Sequence, residues 1–197
     1  MMVKRSRLFL PAALVLTLVL AAPALAGGNA NFVLGGRKLV DDNFWNSPIG
    51  GDLSSQDLFG VTVDFGRDSW PVRLETGVQG SQKVVTPFGT DFTGSITELF
   101  FGVNKTWSPA GARMHPYVGG GMASVTAKIE GGGSVTDDTS SALYIHGGAF
   151  WCVGHRFNLG VDVRALGGTR VTIAGLDTNA NYRQAGLVLG WGWPKSK

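Results

Sequence analysis

The sequence predicts an all-β chain, an eight-stranded antiparallel up-and-down transmembrane β-barrel. Three observations predict it. An export signal is followed by no second apolar helix. Apolar and polar residues alternate with period two through the rest of the chain. The connections between alternating segments are long and short in turn.

The export signal comes first. Lys4, Arg5 and Arg7 precede an apolar run from Leu8 to Leu20, and Ala24-Leu25-Ala26 offers a small-x-small cleavage site before Gly27. Residues 1–26 are therefore expected to be a signal peptide and 27–197 the barrel domain. Removing Lys4, Arg5 and Arg7 from the 17 basic residues leaves 14, against 14 acidic ones. The basic balance thus belongs to the signal, and no nucleic-acid partner is expected of the mature chain. Cys152 is the only cysteine, so no intramolecular disulfide can form. The remaining 171 residues, 197 less 26, suit one domain.

Eight strands are expected, at about 31–40, 56–66, 70–80, 94–107, 115–129, 141–153, 157–166 and 182–193. In the second, Phe59, Val61, Val63 and Phe65 alternate with Gly60, Thr62 and Asp64. In the third, Val72, Leu74, Thr76 and Val78 alternate with Arg73, Glu75 and Gln79. The fourth sets Leu99, Phe101 and Val103 against Glu98, Gly102 and Asn104, while Gly119-Gly120-Gly121 blurs the parity of the fifth. The segments at 41–55, 81–93, 130–140 and 167–181 read as long loops on one rim.

The clearest pair is the hairpin of strands six and seven. Leu143, Ile145, Trp151, Val153, Phe157, Leu159, Val161 and Val163 share the apolar face across a Gly154-His155-Arg156 turn. Residues facing each other across a hairpin must point to the same side. With Val153 opposite Phe157, His146 should meet Arg164 and Gly148 should meet Asp162. For strands two and three, Phe65 opposite Trp70 would put Thr62 by Arg73 and Gly60 by Glu75.

Alternation alone does not say which face is outside; a secreted lipid-binding barrel would turn its apolar face inward. The tryptophans decide. Trp70, Trp107, Trp151, Trp191 and Trp193 all fall toward the short-turn rim, as an aromatic girdle at a membrane–water interface would require. The mid-strand charges of the polar face are Asp64, Arg73, Glu75, Glu98, Asp162 and Arg164, with no lysine. Together with His146 they are expected to form an interior polar network, because an eight-stranded barrel is just wide enough for side chains to fill it.

The LGGRK strand, the HPYVGGGMA strand opening, the RFNLGVDVR arm and the closing GLVLGWGW strand resemble OmpA-like and opacity-type outer-membrane β-barrel proteins. The resemblance spans essentially the mature chain. It implies residence in the outer membrane of a Gram-negative envelope and contact with outer-membrane lipids and lipopolysaccharide. It also implies insertion by the barrel-assembly machinery, for which Trp193, followed by Pro194–Lys197, would be the closing aromatic.

Little in the sequence points to catalysis. His146 with Tyr144 is the one constellation of note, and Ser140 and Ser141 are the hydroxyl candidates, placed in or beside a loop. The bland reading, an interior histidine between carboxylates, is preferred. His115 and His155 read as solvated turn residues, Cys152 as a packed thiol, and Asp41-Asp42 and Asp137-Asp138 as solvated loop acids. No cofactor and no metal site is expected. The expected role is structural or loop-mediated interaction with an external partner. The alternatives are an enzyme acting on lipid A or phospholipid, and a conduit for small hydrophobic molecules.

Overall fold

The computed structural model describes residues 27–46, 51–67, 69–108, 112–154 and 156–193. The expected signal peptide 1–26, His155 and Pro194–Lys197 lie outside them. Eight strands close into one antiparallel barrel in the order β1, β10, β7, β6, β5, β4, β3, β2. They are β1 (Gly27–Leu39), β2 (Ser55–Gly66), β3 (Arg73–Val85), β4 (Phe92–Thr106), β5 (Met114–Gly131), β6 (Ser134–Val153), β7 (Phe157–Gly167) and β10 (Tyr182–Trp193). A small hairpin of β8 (Val171–Ile173) and β9 (Leu176–Thr178) lies between β7 and β10. One helical turn, α1 (Asp42–Trp45), lies between β1 and β2.

Closure leaves no strand edge unpaired, so every wall strand has two hydrogen-bonded neighbours. The outside of the wall is apolar. Phe32, Phe59, Phe101, Met122, Leu143 and Leu187 are all more than half exposed. Monomeric soluble proteins rarely expose apolar surface on this scale, whereas a hydrocarbon phase favours it. All eight apolar residues of the β6–β7 hairpin are exposed, between 42% and 65%.

The belt has a sharp upper limit. On β5 and β6 the exterior pair Met122–Leu143 is followed outward by Ser124–Ser141, Thr126–Thr139 and Lys128–Asp137. The segment 130–140, expected as a loop, is instead a continuation of this ladder, closed by a two-residue turn. Gly132 and Gly133 adopt φ of 58° and 79°, the pair of positive angles that a type I′ turn requires. Ser140 and Ser141 therefore lie within β6 and not in a loop. β3 and β4 are also longer than expected on this rim, leaving only residues 86–91 between them.

Register agrees with the sequence for one hairpin and differs for another. Across β6 and β7, Val153 faces Phe157, His146 faces Arg164 and Gly148 faces Asp162. Across β2 and β3, Phe65 faces Leu74 and not Trp70, so Thr62 meets Gly77 and Gly60 meets Gln79. Arg73 and Glu75 consequently do not sit beside Thr62 and Gly60. The amide of Trp70 donates to the Arg67 carbonyl, forming a tight turn that takes Trp70 out of the ladder. A displacement of four residues leaves both faces unchanged, so alternation cannot detect it.

Candidate functional site

The interior is the candidate site, and it has three layers of polar side chains beneath an apolar cap. The cap is built by the long connections. Asp41 starts α1, accepting the Phe44 amide at 3.4 Å, and its other oxygen accepts the Thr178 hydroxyl at 2.7 Å. Trp45 is buried and donates its indole N–H to the Asn179 carbonyl at 2.9 Å. It packs with Leu39, Leu53, Ile96, Val171, Ile173 and Tyr182 in a cluster resembling the core of a soluble domain. Two of the expected solvated acids, Asp41 and Asp138, are structural ties here, while Asp137 is exposed. Asp138 accepts the amides of Thr172 and Thr139, both at 2.8 Å, which hold its carboxyl below the usual carboxylate range. The side chain of Asp42 lies outside the described residues.

Directly under the cap, Glu98 is fully buried between two arginines. Arg37 reaches one carboxylate oxygen and Arg164 the other, each at 3.3 Å. Tyr182 donates its hydroxyl to Glu98 as well. Arg37 also donates to Gln184 at 2.9 Å and to Gln79 at 3.3 Å. The Arg164 guanidinium lies 3.8 Å from the Tyr144 ring centroid and 4.0 Å from that of Phe100. Arginine suits this layer because its flat cation satisfies carboxylates at its edge and aromatic rings at its face.

The middle layer centres on His146. Its Nδ1 lies 2.9 Å from Asp162 and its Nε2 3.0 Å from Glu75. A doubly protonated ring has one donor for each carboxylate. Tyr144 donates to Glu75 at 2.6 Å, Asn104 to Glu75 at 3.0 Å, and Tyr117 to Asp162 at 2.8 Å. Facing positions on the neighbouring strands are glycines, which leave the necessary room. A Cβ on Gly119 would stand 2.4 Å from His146 Nε2, and one on Gly102 would stand 2.3 Å from the Tyr144 hydroxyl. A small cavity of about 50 Å³ borders this layer.

Nearest the short turns, Arg73 pairs with Asp64 at 2.7 Å and donates to the Gly27 carbonyl at 2.7 Å. Asn29 completes this layer, donating to Asp64. Below it the interior opens at the rim into a cavity of about 760 Å³.

The structure thus places Asp64, Arg73, Glu75, Glu98, His146, Asp162 and Arg164 inside the barrel, distributed over three separate layers. Seven contributors were not singled out from sequence: Asn29, Arg37, Gln79, Asn104, Tyr117, Tyr182 and Gln184. Arg37 is hidden by Lys38, which puts a second charge on the opposite face, and Tyr117 by the glycine run after it. Two further expectations are corrected. Cys152 is exposed at the mouth of the lower cavity and is not packed. His115 lies in β5, stacked on Phe150 with ring centroids 5.4 Å apart, and not in a solvated turn. Among the described residues no cluster has the makings of a metal site. Trp107, Trp151 and Trp191 are exposed near the short-turn rim, as is Trp70, which precedes β3 in place of starting it. Trp193 lies over Gly28 of the adjoining strand.

The sequence matches no protein-family profile and no curated protein. Solved structures do match in fold. Neisserial surface protein A (NspA) has a TM-score of 0.56 at 15% identity, with 84% of this chain and 94% of that one covered. The N-terminal β-barrel domain of Pseudomonas aeruginosa OprF has a TM-score of 0.54 at 16% identity, covering 84% and 97%. Ail, the attachment invasion locus protein of Yersinia pestis, crystallised with the heparin analogue sucrose octasulfate, has a TM-score of 0.56 at 8% identity, covering 86% and 99%. The fold of this chain is that of the eight-stranded outer-membrane barrel.

Proposed function

We propose that this chain is an outer-membrane barrel with a structural or loop-mediated interaction role, and that it is not an enzyme. The supporting observation is the closed upper interior. Glu98, Arg37 and Arg164 fill the cross-section, and the folded connections seal it with Trp45, Leu53, Val171 and Ile173. The same connections form an ordered outer platform, from which β5 and β6 each run nine residues past the belt, about 30 Å of strand.

In this reading the rim that carries α1, the β5–β6 turn and the β8–β9 hairpin faces outward, and the opposite rim faces the periplasm. Lys38 and Arg183, partners across β1 and β10, gather with Lys83 and Asp57 around a depression at the upper edge of the belt. That position suits the phosphates of outer-leaflet lipopolysaccharide. Trp193 is the proposed signal for the barrel-assembly machinery.

The test is planar-bilayer recording of the purified protein, supported by heat-modifiable gel migration. A folded barrel without resolved conductance steps is expected, and stable steps would favour a conduit instead. The lipid A enzyme has no such support. Both His146 nitrogens face carboxylates, while the Ser140 hydroxyl accepts the Arg170 amide at 2.9 Å. Identical lipid A masses from cells with and without the protein are the expected result.

A further inference from the structure

The cavity at the short-turn rim has an unbalanced lining. Arg67, Arg73, Lys105 and Arg156 line it, with His115, and among the described residues no aspartate or glutamate does. Of the four cations only Arg73 is ion-paired to a described carboxylate, Asp64 at 2.7 Å. Asp68, beside Arg67 in sequence, lies outside the described residues. Above Asp64 the next acids, Glu75 and Asp162, are both engaged by His146. Three further cations therefore line a recess whose walls are protein and whose deep end is closed by the Asp64–Arg73 layer and the His146 layer above it.

Such a geometry focuses positive potential, because field lines crowd into water bounded by low-dielectric walls. The volume, about 760 Å³, falls within the range of small-molecule sites. Trp70, Phe150 and Trp193 add aromatic surface to the same recess. The Arg156 guanidinium stands 5.8 Å from the Trp191 ring centroid, so it straddles the rim between girdle and cavity.

We propose that this recess is a binding site for a small phosphate-bearing polyanion. Guanidinium forks on Arg67, Arg73 and Arg156 match phosphate oxygens in pairs, and Lys105 adds a point charge. The same chemistry has two sources, a soluble phosphorylated solute and the headgroup of an anionic phospholipid in the adjoining leaflet. The closed deep end makes this a binding site and not a passage.

Cys152, exposed in the lining and the only cysteine, serves as the reporter. In the purified full chain in uncharged detergent, its rates with anionic sulfonatoethyl and cationic trimethylammonioethyl methanethiosulfonate are measured, each divided by the rate for free 2-mercaptoethanol. The anion-to-cation ratio should be roughly 10 or more at low salt, the lower end of electrostatic focusing. Arg67→Gln combined with Arg156→Gln, both exposed and outside the ladders, should cut that ratio several-fold. Inorganic pyrophosphate should slow the reaction, which identifies a soluble occupant. Slowing only in phosphatidylglycerol discs, against phosphatidylcholine discs, identifies the headgroup. A ratio near or below one, or no slowing by either probe, overturns the proposal. The readout needs neither conductance nor a loop partner, so its failure is separable from failure of the proposed role.

Discussion

The upper and lower halves of the barrel interior start from the same alternation of residues and bury charge in different ways. In the upper half, Glu98 and its two arginines are 4% exposed or less, roofed by Trp45 and the packed connections. In the lower half, Asp64 and Arg73 keep 12% and 25% of their side chains exposed above an open recess. The upper charges have given up water and depend wholly on one another. The lower charges keep partial access to solvent. The contrast shows that interior polarity in a small barrel does not by itself describe a channel; what closes each end decides how strongly the charges are coupled.

The sharpest way to break the comparison is to remove one charge from each half. Glu98→Gln leaves two buried guanidiniums without a counter-charge and should cost about 3–5 kcal/mol. Asp64→Asn, whose arginine stays partly solvated and keeps the Gly27 carbonyl, should cost about 1 kcal/mol. Urea titration of folding into lipid vesicles measures both, and equal losses would mean that the halves are not distinct. Trp45→Ala should cost about 3 kcal/mol, the low end for a buried aromatic because the loop can settle into the space. That variant should remain electrically silent in bilayers, since the charged layer beneath is intact; steps would show that the cap alone is the seal. His146→Ala leaves Glu75 and Asp162 with neutral donors only and should cost about 2 kcal/mol in the same titration. The smallest effect is a gain. Ala174 holds a φ of 52° in the β8–β9 turn beside Gly175, so Ala174→Gly should stabilise that hairpin by about 1 kcal/mol. Slower amide exchange in β8 and β9 is its readout.

Much of the wall was legible from the residues. β6 and β7 show why: their three-residue turn is short, and both faces carry strong contrast, so strand ends, faces and register all follow. β2 and β3 show the limit. Their faces follow from alternation, but the six-residue connection allows a four-residue displacement at no cost to either face. The outer part of β5 and β6 was not legible, because above the belt both faces are polar and Gly131-Gly132-Gly133 reads as a loop signal. Within the site, Glu98, His146 and Arg164 stood out as charges on an otherwise apolar strand. Arg37 did not, lying between Gly36 and Lys38.

By itself, the sequence determined the number of barrel strands, the apolar exterior and the residues turned inward, because a period-two backbone sorts side chains onto two faces wherever one face meets lipid. Only the tertiary structure decided which inward residues meet, since closure brings β1 beside β10 and sets Arg37 against Glu98, 61 residues away. It alone decided that Trp45 is a plug, because that burial rests on Asn179, 134 residues distant. Local pattern carries orientation; contact across a closed barrel is a property of the circle.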